Sequence, residues 1–225
     1  MIKIAYLGQN DPLELLEQTQ PVSLAENTEL FDGVGRCPSV RGYHMNTFEV
    51  KCPFDLEWTI TEVEPGHLSC DINTTKSTIN IDSNIQLFDF DVAGKTCQIN
   101  LRPKWSFISD TPNTIMIMHT NGIDTNPQMI TGMFDIYDWP DRSTSIAYHI
   151  KKKKQTFKLK RGEPWYRVTF ITPDLQPVKL VRMFNRSPFL LRTQNKSQLT
   201  ALKYLNWRKV FKYFGKTRPK KLINV

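Results

Sequence analysis

Three aspartates, Asp135, Asp138 and Asp141, crowd the segment TGMFDIYDWPDRS at residues 131–143, set among Phe134, Tyr137, Trp139 and Pro140. A carboxylate in such a setting can position water and take its proton for attack on a phosphate, for instance beside a magnesium-bound triphosphate. The same residues also suit a strand that ends in a turn, where Asp side chains accept backbone hydrogen bonds and proline presets a dihedral. In that second reading Phe134, Ile136 and Tyr137 pack, while Asp138 and Asp141 flank the turn.

A second chemical group is cationic. HIKKKKQTFKLKRG carries Lys151, Lys152, Lys153, Lys154, Lys158, Lys160 and Arg161; further on, Lys203, Arg208, Lys209 and Lys212 alternate with Tyr204, Trp207 and Tyr213, before Arg218, Lys220 and Lys221. Cations meet phosphates and rings stack on exposed bases, so nucleic acid is the natural partner. An anionic membrane surface suits the same pattern. Lysines on an edge strand can also serve only to prevent sheet-to-sheet pairing. The net charge of +8 hides a division: residues 1–150 hold 9 Lys/Arg against 20 Asp/Glu, and residues 151–225 hold 21 against 2. Such complementary potentials would orient the docking of the basic part on an acidic protein surface, including that of another copy.

Other chemistry is sparse. Cys37, Cys52, Cys70 and Cys97 lie at spacings that fit no common zinc pattern, and His44 and His67 supply no short-spaced ligand pair. The cysteines are expected to be buried free thiols, and no metal is expected. His119 and His149 read as strand residues; no nucleophile elbow, Walker A loop or GxGxxG is present.

The elements that must position these groups are mostly strands. MIKIAYLG opens as one, and DPLELLEQT offers Asp11 as N-cap and Pro12 as first residue of a short helix. From about residue 29, short apolar or alternating runs follow: TFEVKC, LEWTITEV, HLSCDI, STINI, IQLFDFDV, CQINL, WSFIS, TIMIMHT, STSIAYHIKK, QTFKLKRG and PWYRVTFIT, with RGEP as a turn before the last. In LEWTITEV, Leu56, Trp58 and Ile60 share one face. KSQLTALKYLNWRKVFKYFG then reads as a basic amphipathic helix of about four to five turns. Leu199, Leu202, Val210, Phe211 and Phe214 form its apolar side, and Gly215 is its expected stop. KTRPKKLINV reads as a tail. The expected division is 1–28, a strand and short helix; 29–185, a β-rich domain; and 186–225, the basic helix and tail. With no run of about 18 apolar residues and no apolar leader, neither a membrane span nor a signal peptide is expected.

NGIDTNPQMITGMFDIYD, followed by SIAYHIKKKKQTFKLKRGEPWYRVTF, resembles the core of the dUTPase-like β-clip proteins, over roughly residues 113–172. Asn121, Gly122, Ile123 and Asp124 stand where that family has H-G-I-D, and Gly132, Met133, Phe134 and Asp135 match its G-V-I-D. Lys160, Arg161, Gly162, Glu163 and Pro164 open the last element. The resemblance implies a mainly β fold with a β-clip core, an N-terminal β-rich region and a basic C-terminal helix. It also implies a homo-oligomer, possibly a trimer, with Asp135 as water-activating acid and Asp124 and Tyr137 as nucleotide contacts. The chain departs from the family where P-R-S-G should hold phosphate, since TIMIMHT stands there, and it has no glycine-rich C-terminal arm. GRCPSVRGYHMNTFEVKCPFDLEW is similar to an uncharacterised family of phage and bacterial proteins, a likeness that implies a tailed phage of cyanobacteria, hence the infected cell or the virion. The expectation is therefore a non-catalytic, phage-encoded binding or assembly protein that engages nucleic acid or an acidic protein surface, without cofactor. The alternative is a nucleotide-binding protein or nucleoside triphosphate pyrophosphatase using Asp135, with magnesium.

Overall fold

The structure, a computed structural model, describes residues 1–8, 22–23, 37–52, 55–64, 67–74, 85–89, 97–101, 105–120, 128–140, 146–150, 154–192, 213 and 215–223. The protein is mainly β. Its elements run β1 (Ile2–Gly8), β2 (Val22–Ser23), α1 (Pro38–Met45), β3 (Thr47–Lys51), β4 (Leu56–Glu64), β5 (His67–Thr74), β6 (Ile85–Asp89), β7 (Cys97–Leu101) and β8 (Trp105–Ser109). They continue with β9 (Ile115–Thr120), β10 (Gln128–Met129), β11 (Gly132–Asp135), β12 (Ile146–Ile150), β13 (Lys154–Leu159), β14 (Pro164–Ile171), a 3-10 turn at Pro173–Leu175, and β15 (Val178–Arg182). Among the described residues these strands form four sheets, with strand orders β15-β1-β8, β10-β12-β7-β6, β11-β9-β14-β3-β2 and β13-β4-β5.

Side-chain alternation decides what each sheet buries. In β14, Tyr166, Val168 and Phe170 point into the main core with Phe48 and Val50 of β3 and Met116 and Met118 of β9, while Arg167 and Thr169 take the opposite face. Leu56 and Trp58 of β4 enter the same core, as their spacing predicts. Fully burying residues such as Trp58, Tyr166 and Phe170 contributes roughly 1.5–3 kcal/mol each. The polar end of Tyr148 is satisfied there by the Trp165 indole, Nε1–H donating to Oη at 2.7 Å, and burial pushes the Tyr148 phenol well above its usual range.

β1 lies between two partners, and a separate apolar cluster packs on each of its faces. It runs parallel to β15 and antiparallel to β8. Ile2 and Ile4 belong to the main core; Ala5 and Leu7 join Ile108 in a second cluster, closed from outside by Met183, Leu190, Leu222 and Ile223. The first strand is thus held by the last strand and by the end of the chain. Residues 188–192 enter that cover as a short helical segment, with Ser187 Oγ accepting from Leu190 N at 3.3 Å.

Several expectations change here. The PSVRGYHM stretch, read within a strand-rich region, forms helix α1, with Pro38 at its first turn. The segment read as a tail is integrated, since Leu222 and Ile223 are buried. Gly215 does not stop the helix, which continues through Thr217, whose hydroxyl donates to Tyr213 O at 3.0 Å. Cys52 is a buried thiol in no disulfide, as expected, whereas Cys37 is an exposed one at the start of α1. The proposed helix at Asp11 and Pro12, the strand STINI and most of the basic amphipathic helix lie outside the described residues.

Candidate functional site

β11 pairs with β9 as far as Asp135, opposite Ile115, and the chain then turns. The turn is made by Asp135 itself: its Oδ1 accepts the backbone N–H of Tyr137 at 2.9 Å and of Asp138 at 2.8 Å. This is the local side-chain capping for which Asp is favoured at turns. Ile136 is buried, and Phe134 packs against the main core. The Tyr137 ring lies under the Arg218 guanidinium, 4.1 Å from the centroid, and its carbonyl accepts from Arg218 Nε at 3.0 Å.

Arg218 is the centre of this arrangement. Its side chain is 1% exposed, and it donates from Nη1 to Pro219 O at 2.8 Å and from Nη2 to Ser109 O and to Asp110 Oδ1, the last at 3.0 Å. Asp110 in turn accepts Leu222 N at 2.8 Å and Ile223 N at 2.9 Å. Burying a guanidinium costs least when its donors find acceptors, and Arg218 finds four. Burial pushes the Asp138 carboxyl above the usual range, the Asp135 charge adds to this, and Arg218 partly offsets both. The segment therefore clasps the C-terminal strap, residues 215–223. Asp124 and Asp141 lie outside the described residues.

The cationic residues divide. Lys151, Lys152, Lys153, Lys203, Arg208, Lys209 and Lys212 lie outside the described residues, and Lys154 is described only as the first backbone position of β13. Among the described residues β13 is an edge strand, and Lys158 on it pairs across the register with Glu57 at 2.9 Å, both partners well exposed. Such a pair contributes little, and its lysine also guards the edge. Lys160 and Arg161 are exposed in the RGEP turn, where Gly162 supplies φ +85 and Glu163 Oε2 accepts Lys160 N at 2.7 Å.

The fold adds cations that sequence spacing could not group. Lys3 on β1 and Lys179 on β15 are direct neighbours in the parallel register, both exposed. Alternation puts them on the sheet face that carries Ala5, Leu7 and Val181. The strap crosses that same face, because Leu222 and Ile223 pack on Ala5, Leu7 and Ile108, and it brings exposed Lys220 and Lys221 there. The Asp110 carboxylate beneath it is already matched by Arg218.

A third polar group lies on the outer face of the five-stranded sheet, under α1. His119, Arg167 and Glu49 sit side by side on β9, β14 and β3, with Arg167 Nη2 and Glu49 Oε2 4.0 Å apart. His119 Nδ1 lies 3.2 Å from Thr120 O, so Nδ1 carries the proton; in the neutral ring the single Nε2 lone pair is shared by the hydroxyls of Tyr43, at 3.1 Å, and Thr169, at 2.9 Å. Thr47 Oγ1 lies 2.8 Å from Thr169 Oγ1 and donates to Tyr43 O at 2.7 Å. Burial holds the His119 imidazole below its usual pKa against the opposing Thr120 carbonyl, and the Arg167 charge lowers it further. His44 is lowered for the same two reasons, burial first. The reading of His119 as a strand residue is right about its place, but its partners on α1 and β14 were not foreseeable.

No protein-family model, no curated protein and no solved structure matches this chain. Among the described residues, no helix is long and apolar enough to cross a membrane, and no three His, Cys, Asp or Glu side chains gather as a metal site.

Proposed function

We propose that this is a non-enzymatic binding or assembly protein whose basic C-terminal region engages nucleic acid. One observation carries the reading: the strap pinned by Arg218, Leu222 and Ile223 places Lys220 and Lys221 on the same sheet face as the Lys3–Lys179 pair. Like charges side by side are unfavourable in the isolated protein, and an array of phosphates removes that cost. The strong positive excess of residues 151–225 supports the same partner.

The pyrophosphatase alternative, on a dUTPase-like β-clip core with magnesium, draws no comparable support. Asp135 would have to act on water while Oδ1 holds two backbone N–H groups, and Tyr137 would have to stack on a sugar with Arg218 already on its ring.

Retention of labelled oligonucleotides over a salt series tests the proposal. Replacing Lys3, Lys179, Lys220 and Lys221 together with alanine should weaken binding and make the plot of log affinity against log salt shallower by about three to four. An affinity and slope that do not move would overturn it. A salt-dependent self-association that the same four substitutions abolish, without nucleic-acid binding, would instead assign the lysines to an acidic protein surface.

A further inference from the structure

We propose that the open edge of β15 docks an extended acidic segment of a partner protein, added as a further strand with a carboxylate against Arg182. The proposal goes beyond the nucleic-acid reading and concerns a different surface, the edge of the strand and the side of the sheet opposite Lys3 and Lys179. Among the described residues β15 ends its sheet, with β1 on one side only. Successive residues of a strand direct their backbone groups to alternate neighbours. Pro177 O accepts from Ile2 N at 2.8 Å and Met183 N donates to Tyr6 O at 3.0 Å, so Pro177, Lys179, Val181 and Met183 turn theirs to β1. Val178, Leu180 and Arg182 direct theirs outward.

The start of that outer edge is closed by a side chain. The buried Asn46 amide donates from Nδ2 to Gln176 O at 3.0 Å, and its Oδ1 accepts from Val178 N at 2.9 Å. These are the two bonds that one residue of a neighbouring strand would make there. Nothing does the same for the next steps: among the described residues no hydrogen bond reaches the outward groups of Leu180 or Arg182. An edge closed for one step and open beyond it is a template for an added strand, whose main chain would supply the missing bonds.

Side chains define which strand fits. Val178 and Leu180 are half-buried at the rim of the main core, so apolar residues of an added strand would cover them. Arg182 shares their side of the sheet, beside Tyr6 in the parallel register. Its Nε and Nη2 are buried without a hydrogen-bond partner, and among the described residues no carboxylate pairs with it. A residue opposite Arg182 on an added strand points to that same side, where a carboxylate supplies the missing acceptor in a charge-assisted bond. The Phe184 ring, with its centroid 4.7 Å from the guanidinium, is 68% exposed, so admitting the carboxylate displaces a side chain already mostly in water. A second copy of β15 fits worse, since it would set Lys179 and Arg182 against like charges.

The test uses the full chain and a fluorescein-labelled peptide with threonines on one face and valine, glutamate and valine on the other, read by anisotropy and by amide hydrogen exchange. Bound peptide should slow exchange at the Leu180 and Arg182 amides on the order of 10-fold or more, while the Val178 amide, already held by Asn46, should not change. Glutamine for glutamate in the peptide, or Arg182→Gln in the protein, should weaken binding roughly 10-fold, and both together no further than either alone. N-methylation of alternate peptide amides should abolish binding in one phase and leave it within about twofold in the other, a comparison that leaves the protein unaltered. No binding, binding without slowed exchange at Leu180 and Arg182, N-methylation without effect in either phase, or equal affinity for the glutamine peptide would overturn the proposal. Slowing of the same amides by oligothymidylate would assign the edge to nucleic acid, and slowing with rising protein concentration alone would assign it to a second copy; either result overturns it too. Failure of oligonucleotide retention would not, since that reading rests on lysines of the other face.

Discussion

Arg218 and Arg182 each lie against an aromatic ring, at 4.1 Å from Tyr137 and 4.7 Å from Phe184, but the protein treats them in opposite ways. Arg218 donates to four oxygen acceptors and its ring partner is half-buried beneath it. Arg182 leaves two buried nitrogens without an acceptor among the described residues, beside a ring that is mostly in water. A guanidinium with four of its five N–H groups engaged works as a fastener. One with two buried nitrogens unmatched fastens little. The aspartate turn, which first suggested catalysis, belongs to the saturated side.

The largest expected effect separates the two arginines by stability. Arg218→Ala should cost about 3–5 kcal/mol, as expected when one partner of a buried pair is removed. Arg182→Ala should cost less, about 1 kcal/mol, from lost packing and the lost contact with the Phe184 ring. Urea denaturation measures both, and equal losses would break the comparison.

Next comes the turn beneath Arg218. Asp135→Ala should cost about 1–2 kcal/mol by stranding the Tyr137 and Asp138 N–H groups, whereas Asp135→Asn, which keeps an acceptor at that position, should cost under about 0.5 kcal/mol. The same stability series, with phosphate release from nucleoside triphosphates as second readout, would sharpen the assignment. Release that disappears in Asp135→Asn would mean that the carboxylate does chemistry after all.

The smallest effect concerns the third polar group, where matching depends on protonation. Because His119 and His44 are held below the ordinary value of about 6.5, the unfolded chain binds more protons than the folded one in the window beneath it. Their contribution should be complete above pH 6.5 and decline as pH falls through the lowered folded values. His119→Gln should flatten the denaturation profile over that window; a profile unchanged by the substitution would show that the Tyr43–Thr169 network is not governed by this ring.

Much of the sheet architecture was legible because strand formation is signalled locally. Alternating or continuous apolar runs such as TFEVK, LEWTITEV and PWYRVTFI are strands wherever they stand, and they became β3, β4 and β14. That a strand ends in a turn there was legible too, but the turn was expected at Trp139 and Pro140 between Asp138 and Asp141, whereas Asp135 caps Tyr137 and Asp138. Helix α1 was not legible, because eight residues with Gly42 and His44 inside and a weak apolar stripe give little periodic signal. The role of Arg218 was hidden too: Asp110, Ser109 and Tyr137, which define it, stand 81 or more positions away.

By itself, then, the sequence determined most of the described strands, the RGEP turn and the segregation of charge, all of which depend on residue type and short-range spacing. Only the tertiary structure decided that the last residues close over the first strand and that Lys3 meets Lys179. It also decided that one arginine is saturated while another is left with its charge beside an open ring. Those outcomes depend on which strands pair and which faces are covered, and burial and hydrogen-bond matching are properties of the folded neighbourhood rather than of any stretch of chain.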